Sequence, residues 1–90
     1  MKIKENFTLR NIAGRFAVLP LGAATLDFTG LLTLNESGVL LWNRLASGCS
    51  REELAAALTE EYDVSAEEAI SDADAFIRKL SELGCIDHEA

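Results

Sequence analysis

The chain has 90 residues, 49% of them hydrophobic, with eight basic and fifteen acidic side chains and a net charge of −7 at pH 7. These figures suit one small folded domain, since compact domains typically hold roughly 100–150 residues, and they exclude a disordered chain and a deep, enclosed active site. The longest apolar runs are too short for a bilayer span, and residues 1–6 lack the apolar core of a signal peptide, so a cytoplasmic protein is expected.

The charge is unevenly spread. Residues 1–48 carry five basic and three acidic side chains, for +2, whereas residues 49–90 carry three and twelve, for −9. That balance disfavours nucleic acid or an anionic membrane as partner.

Residues 7–12 begin with apolar–polar alternation at Phe7, Leu9 and Asn11, the pattern of a half-buried strand. Ala13-Gly14 supplies a tight turn, and residues 15–21 form the second strand of a hairpin, ending near Pro20, which cannot donate to a ladder. Residues 22–29 read as a connecting loop, with Leu26 and Phe28 turned inwards. A short apolar third strand, residues 31–34, then runs into a helix capped by Asn35. Leu34 and Val39 stand in the positions of a hydrophobic staple, and Trp42 adds a large buried anchor.

The first helix extends to about Ala46 and is apolar around much of its circumference. A capping box, Ser50 with Glu53, starts the second helix, whose stripe is Leu54, Leu58 and Tyr62. Ser65 with Glu68 forms a second box, opening a third helix that continues to Leu83. Its apolar stripe is Ala69, Ala73, Phe76, Leu80 and Leu83, and Gly84 is placed as a left-handed C-cap. Three strands followed by three helices, the last two joined by a short turn, make an α+β domain with a helix-turn-helix pair.

No catalytic constellation emerges, so no enzyme activity is expected. The single histidine, His88, lies in the last three residues, and Cys49 and Cys85 stand far apart in no metal-binding pattern, which reads as two reduced thiols. The acidic pairs occupy first turns and solvent-facing helical positions, and the isolated glycines lack phosphate-loop spacing. No cofactor or metal is therefore expected.

Two binding readings remain. A winged-helix DNA reader would use the third helix, which offers Glu67, Glu68, Asp72 and Asp74 ahead of Arg78 and Lys79, so most of its approach to phosphate meets like charge. A peptide-binding module would use an open strand edge as a template for an incoming extended segment. Ala69, Ala73 and Ala75 of the third helix either leave room for guest side chains or let the helix sit close to the sheet.

Several segments resemble the PqqD-like family, the recognition elements for ribosomally made, post-translationally modified peptides. The strongest is Leu34-Asn35-x-x-Gly38-x-x-Leu41-Trp42. Supporting it are Phe7-x-Leu9-Arg10-x-x-Ala13-Gly14, Glu53-Leu54 with Glu61-Tyr62-Asp63-Val64, and Asp72-x-x-x-Phe76-Ile77-x-x-Leu80. The likeness runs from about Phe7 to Ile86, taken as the ordered part of a single domain over residues 1–90.

The resemblance implies a winged helix-turn-helix-like fold, a three-stranded antiparallel sheet followed by three helices. It also implies non-catalytic binding of a precursor's leader segment, presented to a modifying enzyme. In the namesake branch that enzyme is a radical S-adenosylmethionine (radical SAM) protein and the pathway makes pyrroloquinoline quinone. The carried-over contacts are Leu31, Leu32, Thr33 and Leu34 on the third strand, with Asp72, Ala73 and Phe76 on the third helix. Ala73 departs from the family pattern, in which a larger aliphatic residue is commoner. Both a monomer and a homodimer suit this reading.

Overall fold

The computed structural model describes residues 1–22 and 32–88. In chain order they form β1 (Lys2–Ile3), β2 (Phe7–Ile12), β3 (Arg15–Pro20), β4 (Leu32–Leu34), α1 (Glu36–Ser47), α2 (Arg51–Glu61), α3 (Ala66–Glu82) and β5 (Ile86–Asp87). β2, β3 and β4 make an antiparallel sheet in that spatial order, so the expected α+β architecture of three strands and then three helices is present. Leu26, Phe28 and Leu31 lie outside the described residues.

The hairpin between β2 and β3 determines the direction of every later hydrogen bond in this sheet. Ile12 pairs with Arg15 across a two-residue turn in which Ala13 and Gly14 both have positive φ, 53° and 83°. Positive φ at both central residues marks a type I′ turn, whose twist suits paired strands. The Asn11 side chain supports it, accepting a bond from the Gly14 amide at 3.1 Å.

A two-residue hairpin closes on a hydrogen-bonded pair, and such pairs alternate along an antiparallel ladder. The peptide groups of Arg15, Ala17 and Leu19 therefore turn to β2, and those of Phe16 and Val18 turn to β4. Pro20 falls in the second set, beyond the reach of the short β4, so its missing N–H costs the ladder nothing.

On β4, Leu32 pairs with Val18 and Leu34 with Phe16, which places their side chains on one face of the sheet. Val18 and Leu32 enter the core there, against Leu41, Trp42 and Leu45 of α1, Leu54 and Leu58 of α2, and Ala69, Ala73 and Leu80 of α3. The helices begin largely as their sequences dictate. Asn35 accepts from the Gly38 amide at 2.9 Å, and at Ser50 both halves of the capping box form. At Ser65 the box is half made: the hydroxyl accepts from the Glu68 amide at 3.1 Å, while the carboxylate does not return the bond.

α3 ends in a Schellman motif. Gly84, at φ 76°, donates to Ser81 and Cys85 donates to Leu80, at 3.1 and 2.9 Å. This turn directs β5 back along the molecule, where it pairs with β1 through Ile3 and Ile86, both buried. Met1 joins the same seam, exchanging bonds with Cys49 at 3.0 and 2.9 Å. The two segments are too short and too mixed to announce a strand pair in the sequence. The thiols stand unbridged, Cys49 half-buried and Cys85 fully buried.

Two measurements test this reading of the fold. Ala13 adopts a left-handed backbone that costs a non-glycine residue about 1–2 kcal/mol, less for asparagine. Ala13→Asn should therefore raise stability by about 1 kcal/mol, seen as a melting temperature roughly 4–8 °C higher. A lower melting temperature would reject the type I′ turn.

Burial pushes the Cys85 thiol up to about 11 from the ordinary 9.0. Between those values the unfolded chain loses a proton that the folded chain keeps, so stability is full below about pH 9 and falls toward pH 11. Urea midpoints at pH 8 and 10.5 should fall further for the native chain than for Cys85→Ala. Equal falls would show that the thiol is accessible.

Candidate functional site

The alternation that begins at the hairpin has its consequence at β4. Leu32 and Leu34 direct their peptide groups to β3, so those of Thr33 point the other way, to the edge that no described strand pairs. Asn35 remains extended, at φ −81° and ψ −176°, and its N–H continues the same edge. Its carbonyl is already taken by the Val39 amide at 3.0 Å. The edge thus offers two donors and one acceptor over three residues.

That edge borders a cleft of about 350 Å³ between β4 and α3. Leu32, Thr33, Leu34 and Asn35 line one side, and Phe76, Lys79 and Leu80 the other, with Gly38 of α1 at its end. Leu32 and Leu80 are buried; Leu34 and Phe76 are half-buried, leaving apolar surface open to the cleft.

Gly38 explains the spacing of the Leu34-Asn35-x-x-Gly38 motif. A Cβ there would stand 3.1 Å from the Cβ of Leu34 and 3.3 Å from the cap oxygen of Asn35. Glycine lets the first turn of α1 close onto the end of β4, which fixes the edge beside α3.

Of the expected contact residues, Leu32, Thr33, Leu34 and Phe76 share this cleft. Leu31 lies outside the described residues. Ala73, one turn before Phe76, is wholly buried in the core. Asp72 is exposed and lines a separate depression of about 330 Å³ with Glu36, Leu58, Tyr62 and Val64. Burial and the Glu36 and Glu61 carboxylates hold the Tyr62 phenol above its ordinary value there.

Asn35, Gly38, Lys79 and Leu80 complete the cleft and were not among the expected contacts. Their signal was present in the helical spacing. Lys79 and Leu80 follow Phe76 by three and four positions and so share its face.

Past Leu34 the cleft adjoins a larger depression of about 500 Å³ lined by Phe16, Val39 and Arg15, beside the exposed Phe16 ring. Elsewhere on α3, Asp74 makes a two-pronged ion pair with Arg51 of α2, its second bond 2.8 Å long. The guanidinium holds the Asp74 carboxyl below its ordinary range. Among the described residues no cluster of His, Cys, Asp or Glu is arranged for a metal ion, and no helix is long and apolar enough to cross a membrane.

Two solved structures are similar to this chain in fold. The structure of TbiB1 in complex with the TbiA(beta) leader peptide is 24% identical and covers 100% of this chain and 99% of its own, with a TM-score of 0.78. At that identity it establishes the fold alone. The lasso peptide synthetase B1 complexed with the leader peptide is 25% identical over 93% of each chain, with a TM-score of 0.73. No curated protein matches the sequence. The family described as coenzyme PQQ synthesis protein D matches residues 22–86, a span holding β4, all three helices and both walls of the cleft. The chain belongs to the PqqD family.

Proposed function

We propose that this protein binds the leader segment of a ribosomally made precursor peptide, as an added strand on β4, and holds it for a modifying enzyme. The observation that carries this reading is the outward edge of Thr33 and Asn35 beside an apolar cleft. Membership of the PqqD family supports it, as do two folds solved with leader peptides bound.

An incoming strand would exchange backbone bonds with Thr33 and donate none to Leu32 or Leu34. Alternate guest side chains would then enter the space between Leu34 and Phe76. Leu31, outside the described residues, is kept as a further proposed contact on sequence grounds. Asp72 and Ala73 would stay outside the direct contact, the first on the neighbouring depression and the second beneath the helix.

The role is recognition without catalysis, in the cytoplasm, by the single domain of residues 1–90. A radical SAM enzyme is the partner this reading favours, and pyrroloquinoline quinone synthesis the pathway for which the family is described. DNA reading gains no support: the first half of α3 presents Glu67, Glu68 and Asp72 to solvent, where phosphate would have to approach.

Titration with a leader peptide that this protein binds should shift the amide resonances of Thr33, Leu34 and Asn35. Thr33→Pro removes an outward donor and leaves the β3 ladder intact. It should weaken binding by about tenfold or more, because the guest carbonyl is left buried without a partner. Thr33→Val keeps the backbone and should bind as the native chain does, because the side chain stands on the outer face. Binding that survives Thr33→Pro unchanged would place the guest elsewhere.

A further inference from the structure

Among the described residues, Lys79 is the sole charged side chain lining the β4–α3 cleft. It is exposed at the rim, above a floor formed by Leu80, and among the described residues no carboxylate forms an ion pair with it. The neighbouring cation, Arg78, acts instead on Asp74, one turn back. Helix-end electrostatics account for a basic residue in the last turn of α3. They do not account for its position over the guest's path.

A three-residue strand gives a guest little register. Moving an added strand by two residues restores the same backbone bonds and the same facing side chains, so register is weakly specified unless a side chain marks it. The apolar floor tolerates such slippage, since Leu34 and Phe76 accept any aliphatic group. A single cation at the rim does not. Residues 49–90 carry net charge −9 in all, while the described lining of the cleft offers a guest carboxylate this one cation and no competing acid.

From this placement we infer that Lys79 reads an aspartate or glutamate of the bound peptide and thereby sets the register of the added strand. The inference rests on the peptide-binding reading above and deepens it. The occupant is an extended segment with alternate apolar residues and one acidic residue whose carboxylate reaches the Lys79 ammonium. Leu32, Leu34 and Phe76 supply apolar contact; Lys79 supplies the choice among registers.

Selection of a displayed library of random short peptides on the full chain tests this directly. The selected peptides should carry Asp or Glu at one fixed offset from their apolar positions. Selection on Lys79→Glu should replace that acid by Lys or Arg, and selection on Lys79→Gln should show no charge preference there. For one synthesised winner, exchanging its acid for the amide should weaken binding by about three- to fivefold, as a partly exposed ion pair allows, and Lys79→Glu should weaken it by about tenfold. A lysine-bearing guest should restore binding to Lys79→Glu, a recovery that a merely helix-stabilising lysine would not give. Winners that shift the Thr33 and Leu34 amides without any charge preference would overturn the role of Lys79 and leave strand addition standing. A library yielding no peptide that shifts those amides would remove both.

Discussion

Ala13 and Gly14 decide which way Thr33 faces. Because their turn has two residues and positive φ throughout, it fixes which peptide groups of β3 look toward β2 and which toward β4. The short β4 inherits that parity through its pairing with Val18 and Phe16. One inserted or deleted residue in the turn would change it, directing the bonds of Leu32 and Leu34 outward and turning their side chains from the core. The outward edge at Thr33 is therefore a long-range consequence of local turn chemistry. Pro20 fits the same parity, since it occupies a position whose N–H would have faced the β4 side, beyond the end of the described pairing.

The sequence made much of this fold legible, for identifiable reasons. Asn35, Ser50 and Ser65 announce helix starts because capping is satisfied within a few residues, and Gly84 announces the end of α3 for the same reason. The family pattern and the apolar run at residues 31–34 pointed to the strand on which the candidate site is built. The β1–β5 pair was hidden because two-residue strands carry no periodicity; their evidence is a contact between the ends of the described chain. Ala73 was ambiguous for a different reason. An alanine facing a cleft and an alanine beneath a helix look alike until the helix's rotation is known, and Phe76 and Lys79 turn out to hold the open face. Asp72, four positions before Phe76, shares its side of α3 but stands one turn nearer the helix start, where it lines the neighbouring depression.

The acidic half of the molecule separates structural charge from charge available to a partner. Glu53 is spent on its capping box and Asp74 on Arg51, so each serves the helices before any partner. Arg44 and Glu60 stand 3.9 Å apart on the surface, an arrangement of little energetic weight. Lys79 is set apart by belonging to none of these pairs while facing the cleft.

The exposed edge is too short to supply affinity by itself. The exposed edge provides about three backbone bonds, each contributing roughly 0.5–1.5 kcal/mol net, for a sum of about 1.5–4.5 kcal/mol. Losing translational and rotational freedom costs at least about 4 kcal/mol, and a micromolar complex needs about 8 kcal/mol of net stabilisation. Backbone pairing alone therefore cannot hold a guest, and the same shortfall protects the molecule from pairing indiscriminately through an open edge. The remainder has to come from apolar area buried between Leu34 and Phe76, at roughly 25 cal/mol per Å². Gly38 matters for this reason: by letting α1 close against Leu34, it sets the position of one wall of the cleft. In the proposed complex the strand would orient the guest, and the walls would supply the affinity.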